Sequence, residues 1–364
     1  MNAEIPKFVI IGGGKGPSAV RRGLKELPIH ITSIVPSADS GGSTGKLRRD
    51  YDVLSMGDLT QAWGDHAIDP DDGEFLHFRF PKGEGINGHR NSNLGFLVAM
   101  EVFRDKALKE NWPVDQINND HLVAKVLDYH RRKYPITGNV VPSTAENNLD
   151  LITILTDGTR LAQEHLLDFR DGGVPISKVE LSKEAIIYPE AKIELEGTDA
   201  CIYGSSSLRG SIEAVLAVQG VPEAIRRGRS LQIMVQNIAN WKGDTAGFKT
   251  SDYARVITDW TGIPIDYLVY FKDSQTNIDP EIIKDYEKEG QEIVELDDKT
   301  LLYVRQVRCF DLIKVVEEGN NGERKFVLRH DPQKVGRALM SVWEEHLAKI
   351  DLSRLRITPS EIYS

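Results

Sequence analysis

The chain twice runs from an apolar strand into a glycine-rich turn and on into a helix, and the two turns lie one βα unit apart. Phe8-Val9-Ile10-Ile11 leads into Gly12-Gly13-Gly14-Lys15-Gly16, with helical sequence from about Ser18. Ile29 to Val35 leads into Asp39-Ser40-Gly41-Gly42-Ser43-Thr44-Gly45-Lys46. A strand that empties into glycines at a helix start leaves backbone N–H groups pointing at open space, and the positive end of the helix dipole favours an anion there. Two such turns on adjacent strands put their amides over one sheet edge. The pattern predicts a site for a phosphate-bearing ligand such as a nucleotide.

The alternation of strand and helix predicts an α/β fold: a Rossmann-like, mostly parallel sheet flanked by helices and joined by right-handed crossovers. Asp69-Pro70-Asp71-Asp72-Gly73 reads as a loop by its turn residues. From Gly138 the texture changes. Val140-Val141 and Leu151 to Leu155 read as strands, and Asp157-Gly158 marks a hairpin turn. Short runs at Ile186-Ile187 and Lys192 to Leu195 read as two further strands. Residues 138–197 are therefore expected to form a β-hairpin insertion inside a single nucleotide-binding domain spanning 1–364. The α/β texture returns at Ala200 to Tyr203 and ends in a helix from Pro332 to about Ala348.

Composition narrows the partners. The net charge is −10 with no long basic block, which argues against nucleic acid. The local cluster Arg226-Arg227-Gly228-Arg229 is explained by a solvated helix end. Two distant cysteines, Cys201 and Cys309, sit in apolar sequence outside any CxxC pair, so neither a disulfide framework nor a zinc site is expected. The start of the chain shows no signal-peptide pattern, and no apolar run approaches the roughly 20 residues that cross a bilayer. A cytoplasmic protein without a membrane span is expected, and a homo-oligomer is compatible with the chain.

Several constellations could carry chemistry. Gly12 to Gly16 fits neither GxGxxG nor a Walker loop, and no flavin or nicotinamide signature is present. Asp39 follows the second strand, where α/β folds hold ligands. Its carboxylate could accept from a ribose hydroxyl or, with Asp58, hold Mg²⁺, which reaches phosphate sites through one or two carboxylates. Asp58 could equally cap a helix. His89 and Asn93, in Gly88-His89-Arg90-Asn91-Ser92-Asn93, precede a buried helix, and His89 could act as acid or base. Gly204, Ser205 and Ser206 make a third strand-to-helix turn suited to phosphate oxygens. Asn237 and Asn240 follow another strand end and could read a base or sugar. Arg329-His330-Asp331 precedes the final helix, which Asp331 could cap with Pro332 at the first position. Ser43 and Thr44 have no neighbour in sequence that would activate a nucleophile.

In this order the motifs resemble the YvcK/CofD-like family, and its YvcK branch of gluconeogenesis factors in particular. A GGGTG-type loop is matched by Gly12 to Gly16, with Lys15 in the Thr position. An Asp-Asp-Gly-Gly-Ser-x-Gly-x-Leu-Arg segment is matched by Asp39 to Arg48, and Pro-Gly-Asp-Ile-Arg-Asn by Met56 to Gln61. Arg-Phe and Gly-His-x-x-Gly-Asn are matched by Arg79-Phe80 and Gly88 to Asn93. Asp157 to Thr159, Gly204 to Ile212 and Arg329 to Asp331 complete the series. Ser40 replaces the second acidic residue, Gln61 an Asn, Ser92 a Gly and Ser205 a Pro. The resemblance implies a Rossmann-like core that binds a nucleotide-linked ligand. For the YvcK branch that ligand is UDP-N-acetylglucosamine, and the role is control of carbon metabolism and cell-envelope synthesis. Tyr286 and Arg329 then correspond to sugar-nucleotide contacts.

Two readings follow. The first is a nucleotide-sugar-binding regulator that uses Gly12 to Gly16, Asp39, Gly41, Gly42, Ser43, Asp58, His89, Asn93, Gly204 to Ser206, Asn237, Tyr286 and Arg329. The second is a CofD-like, metal-dependent transferase. It would move a phospholactyl-type group from a nucleoside-diphosphate donor to an acceptor alcohol, with Asp39 and Asp58 on Mg²⁺ and Asp39 and His89 as catalytic groups.

Overall fold

The computed structural model describes residues 5–112, 119–167, 170, 172–274, 276–320 and 323–354. Seven segments stack as parallel strands: β1 (Lys7–Ile11), β2 (His30–Val35), β3 (Asn139–Pro142), and, after three strands outside this sheet, β7 (Ala200–Tyr203), β8 (Leu231–Val235), β9 (Ile265–Tyr270) and the polar edge strand β10 (Val304–Cys309). Their order is β10-β9-β8-β7-β1-β2-β3, and every pairing is parallel. Central strands read as near-continuous apolar runs because helices cover both faces of a parallel sheet. Phe8 to Ile11, Ile31, Ile34, Ile202 and Ile233 are buried accordingly.

The topology fixes where a ligand can enter. From β1 the chain moves outward through β2 to β3, then returns to the other side of β1 at β7 and proceeds outward to β10. Strand order thus reverses between β1 and β7, where the crossovers diverge and leave a crevice beyond the carboxyl ends.

The inserted antiparallel sheet is smaller than the sequence suggests. β4 (Leu151–Leu155), β5 (Arg160–Leu161) and β6 (Ile176–Leu181) form it in the order β5-β4-β6, with Gly158 at the turn between β4 and β5. Residues 139–142 belong instead to the edge of the main sheet. Lys192 to Leu195 is helical, inside Pro189–Glu196, and Ile186 makes only an isolated bridge to Gln219. Pro189 starts that helix where its missing N–H costs nothing, and Ala191 and Leu195 bury one face at a spacing of four.

The same device corrects Asp69 to Gly73. Asp69 accepts from Asp71 N at 2.9 Å, Pro70 occupies the first turn, and a helix runs Pro70–His77. Cys201 is buried in β7, whereas Cys309, expected in apolar surroundings, is exposed at the end of β10. A last hairpin, β11 (Ile313–Asn320) with β12 (Glu323–His330), is antiparallel and leads into the helix Pro332–Arg354. Asp331 caps that helix by accepting from Lys334 N at 3.0 Å. Among the described residues no helix is long and apolar enough to cross a membrane.

Candidate functional site

The turns after β1 and β7 interlock at the reversal point. Ser206 Oγ donates to Gly13 O at 2.8 Å and accepts from Gly13 N at 3.2 Å. A Cβ on Gly16 would lie 1.6 Å from Ser205 O, and one on Gly13 would lie 2.0 Å from Asp58 Oδ2. Both positions need glycine because other atoms already fill that space. The expectation of open amides is only partly met. Gly13 N is taken by Ser206, and Gly14 N donates to Asp58 Oδ1 at 2.8 Å. Lys15 and Gly16 open the helix Lys15–Leu24, whose first N–H groups have no partner within the helix.

Beyond this turn lies a cleft of about 710 Å³. Of the residues picked from sequence, Lys15, Gly16, Ser205, Asn237, Tyr286 and Arg329 line it, as does Asn240. Asn237 Nδ2 donates to Ser206 O at 2.8 Å, which ties the β8 end to the β7 turn. Asn240 donates to Phe248 O and accepts from Tyr253 Oη, so both ends of its amide are engaged. The Tyr286 hydroxyl accepts from Leu328 N at 2.9 Å, leaving its ring as cleft wall. Arg329 is paired with Glu318 at 2.8 Å. Five Lys or Arg side chains line the cleft (Lys15, Arg22, Arg90, Lys314, Arg329) against one carboxylate, Glu318. In a chain of net charge −10 that is a concentrated positive surface.

The other predicted residues, those of the second glycine turn (Asp39, Gly41, Gly42 and Ser43) among them, do not line the cleft. Asp58 does not cap its helix; Gly57–His66 begins one residue earlier, with Met56 at the cap position. Asp39 Oδ1 accepts from Gly41 N at 2.9 Å, and Arg48 Nη1 donates to Asp39 O at 2.8 Å. Burial pushes the Asp39 carboxyl up, against the pull of the Gly41 N–H and Arg48. Burial and the neighbouring Asp39 push Asp58 up to about 6. Two half-buried carboxylates that resist ionising together are what a cation would relieve, and their oxygens are the donors Mg²⁺ accepts. The pair fits such an ion, although no group of three or more metal-binding side chains is gathered among the described residues. Ser40, at the second acidic position of the motif, is turned to the insertion, 3.0 Å from His165 Nδ1.

Ser43, His89 and Asn93 form a cluster of their own. His89 Nδ1 stands 2.9 Å from Ser43 Oγ, which also accepts from Asn93 Nδ2 at 3.2 Å. Thr60 Oγ1 donates to Asn93 Oδ1 at 2.6 Å and fixes the amide. Burial and the nearby Lys46 push the His89 imidazole below its usual value. The sequence offered Ser43 no neighbour; the fold supplies one 46 residues away. None of these three side chains lines the cleft. They pin the segment before Asn91–Lys109 to the start of the helix Gly42–Tyr51.

Residues 8–312 match the family described as 2-phospho-L-lactate transferase CofD. The chain belongs to the CofD family. A Listeria innocua gluconeogenesis factor is 32% identical over 259 residues, 71% of this chain and 74% of its own. A Deinococcus radiodurans relative is 28% identical over 342 residues, covering 93% of this chain but only 66% of its own length. A crystal structure of a UPF0052-family protein from Bacillus halodurans matches with a TM-score of 0.78 at 26% identity, over 93% of this chain and 100% of that one. The likeness read from short motifs therefore holds for family and fold alike.

In this CofD-family chain several cleft residues escaped the sequence reading. Arg90 lies within Gly88 to Asn93, where no local pattern distinguishes it from His89 and Asn93. Arg22, His77, Trp241, Gln291 and Lys314 come from elements whose meeting no local pattern signals. Among the described residues, the buried polar atoms of cleft-lining side chains with no hydrogen-bond partner include Ser205 Oγ, His330 Nε2 and Arg90 Nε. Burial pushes His330 down to about 4, so it faces the cleft as a neutral imidazole.

Proposed function

We propose that the chain binds a nucleotide-linked ligand, UDP-N-acetylglucosamine or a similar nucleotide sugar, as a YvcK-type regulator of carbon metabolism and cell-envelope synthesis. The observation that carries the reading is the cleft at the β1/β7 reversal, with five cationic side chains against one carboxylate. That balance suits a diphosphate. The orphaned Ser205 hydroxyl and neutral His330 suit its oxygens or a sugar hydroxyl. Asn237 and the Tyr286 ring offer an edge and a face for the remainder of the ligand. The name of the Listeria innocua relative supports a regulatory role. A calorimetric and thermal-shift screen of nucleotides and nucleotide sugars tests this. UDP-N-acetylglucosamine should raise the melting temperature with little dependence on divalent metal. If it, UDP and GDP all leave the melting temperature unmoved, the proposal fails.

The acid pair favours a second reading, a CofD-like transferase. Mg²⁺ held by Asp39 and Asp58 would neutralise a donor diphosphate. An acceptor alcohol oxygen would form the new bond to phosphorus while the bond to the departing nucleotide breaks, the alcohol proton leaving to solvent. This chain's part would be positioning and charge neutralisation. Neither the two carboxylates nor His89, whose Nδ1 is 2.9 Å from Ser43 Oγ, lines the cleft, so this reading rests on the raised Asp39 and Asp58 pair alone. Asp39→Asn should then abolish turnover with the fold intact.

A further inference from the structure

One corner of the cleft carries no charge. Ile238 to Trp241 and Gln291 line it, whereas the cations Lys15, Arg22, Arg90, Lys314 and Arg329 come from other segments. Residues 238–240, just past β8, run antiparallel to 292–294. Asn240 N donates to Glu292 O at 2.7 Å, Val294 N donates to Ile238 O at 3.0 Å, and Ala239 bridges Ile293. Continued by one pair, the same register sets Trp241 opposite Gln291. The backbone under Trp241 is held. Its N–H donates to Thr245 Oγ1 at 3.2 Å, its carbonyl accepts from Thr245 N at 2.8 Å, and Tyr253 Oη donates to Thr245 Oγ1 at 2.9 Å.

On this fixed turn the indole is 39% exposed. Among the described residues, neither its N–H nor the Gln291 side-chain amide has a hydrogen-bond partner. The neighbouring groups are engaged: Asn237 Nδ2 donates to Ser206 O, both ends of the Asn240 amide are bonded, and Tyr286 is buried. A flat heteroaromatic ring that stacks on an exposed indole gains about 1–3 kcal/mol. A glutamine amide holds its donor and acceptor in one plane, which matches the in-plane edge of a nucleobase.

We infer that Trp241 is the platform on which the ligand's base stacks and that Gln291 reads the edge of that base, so that this corner distinguishes a nucleotide from any other diphosphate. This rests on the nucleotide-ligand reading above.

Titration calorimetry with UDP-N-acetylglucosamine, UDP and inorganic pyrophosphate tests it on the wild-type chain, Trp241→Leu, Trp241→Phe and Gln291→Ala. Trp241→Leu should weaken both uridine ligands alike, by about 5- to 150-fold, and pyrophosphate by less than about twofold. Trp241→Phe, which keeps a flat face, should fall between wild type and Trp241→Leu. Gln291→Ala should weaken both uridine ligands about fivefold. Saturating UDP should also quench part of the wild-type tryptophan emission, and Trp241→Phe should lose that change. The inference is overturned if Trp241→Leu binds UDP like wild type, or if pyrophosphate weakens as much as UDP. It is also overturned if only UDP-N-acetylglucosamine weakens, which would put the sugar on the indole, or if Gln291→Ala is indifferent. If pyrophosphate binds too weakly to titrate, UDP against UDP-N-acetylglucosamine decides. Melting temperatures without ligand show whether each variant folds. Should Trp241→Leu not fold, equal quenching in wild type and Trp241→Phe overturns the inference instead. A wild-type chain that binds neither uridine ligand overturns the ligand reading and this inference together. Wild-type binding with an indifferent Trp241 removes the inference alone.

Discussion

Asp58 and Asp65 sit at opposite ends of one helix, Gly57–His66, the first half-buried and the second buried, and their carboxyls behave oppositely. The helix dipole favours a negative charge at Asp58 and opposes one at Asp65. The observed order is the reverse, so local partners outweigh the dipole. Burial acts to raise Asp65, but His77, Arg21 and Arg22 outweigh it and hold the carboxyl well below the usual range. Arg21 Nε donates to Asp65 Oδ2 at 2.9 Å, Arg22 Nε to Oδ1 at 3.1 Å and Ser18 Oγ to Oδ1 at 2.8 Å. Asp58 has one backbone N–H and a like-charged neighbour. Asp65 is thus a satisfied anion that builds structure; through Arg21 Nη2, 3.1 Å from Gly14 O, it also braces the glycine turn. Asp58 is left short of positive charge beside the cleft, as a site awaiting a ligand or ion would be.

The comparison can be broken by substitution. Asp65→Ala should have the largest effect, a loss of about 3–5 kcal/mol, because it strands the fully buried Arg21 guanidinium. Denaturant melts would show it. The depressed carboxyl means that the stabilisation is complete at neutral pH and fades only as the pH falls below the ordinary value of 3.8.

Asp58→Asn should go the other way. A folded value near 6 against 3.8 unfolded means that the fold holds this proton more tightly than the unfolded chain does. Wild-type stability should therefore decline as the pH rises through 6, and the variant should gain about 1–3 kcal/mol over wild type at pH 8 and little at pH 4. A gain that does not depend on pH would contradict the reading of Asp58 as an under-neutralised anion.

Arg22→Ala should matter least to stability. Half its side chain is exposed, and such pairs contribute about 0.2–1 kcal/mol. Because Arg22 lines the cleft, its loss should instead weaken UDP-N-acetylglucosamine binding about tenfold, read by calorimetry.

The legible parts of the sequence were those whose physics is local. Apolar runs ending in glycine announced β1, β2 and their turns, and Asp157-Gly158 announced the hairpin between β4 and β5. Lys192 to Leu195 alternates polar and apolar residues as a strand does, and four residues are too few for the helical period to show. The signal lay upstream, in Pro189 as a helix start. Asp69-Pro70 was the same signal read as a loop. The division of labour among the acids was not legible. Asp65 meets Arg21 across 44 residues, and Asp58 meets Gly14 across the same interval. Only the fold decides which acid finds cations. Arg90 is a similar case, since only the fold brings Gly57 O, 33 residues away, within its reach.

Hydrogen–deuterium exchange with and without saturating UDP-N-acetylglucosamine tests most directly whether the cleft at the β1/β7 reversal is the ligand site. The expected result is slowed exchange confined to amides of residues 12–18, 204–207 and the 313–330 hairpin. Unchanged exchange in those segments, with protection elsewhere or nowhere, would contradict it.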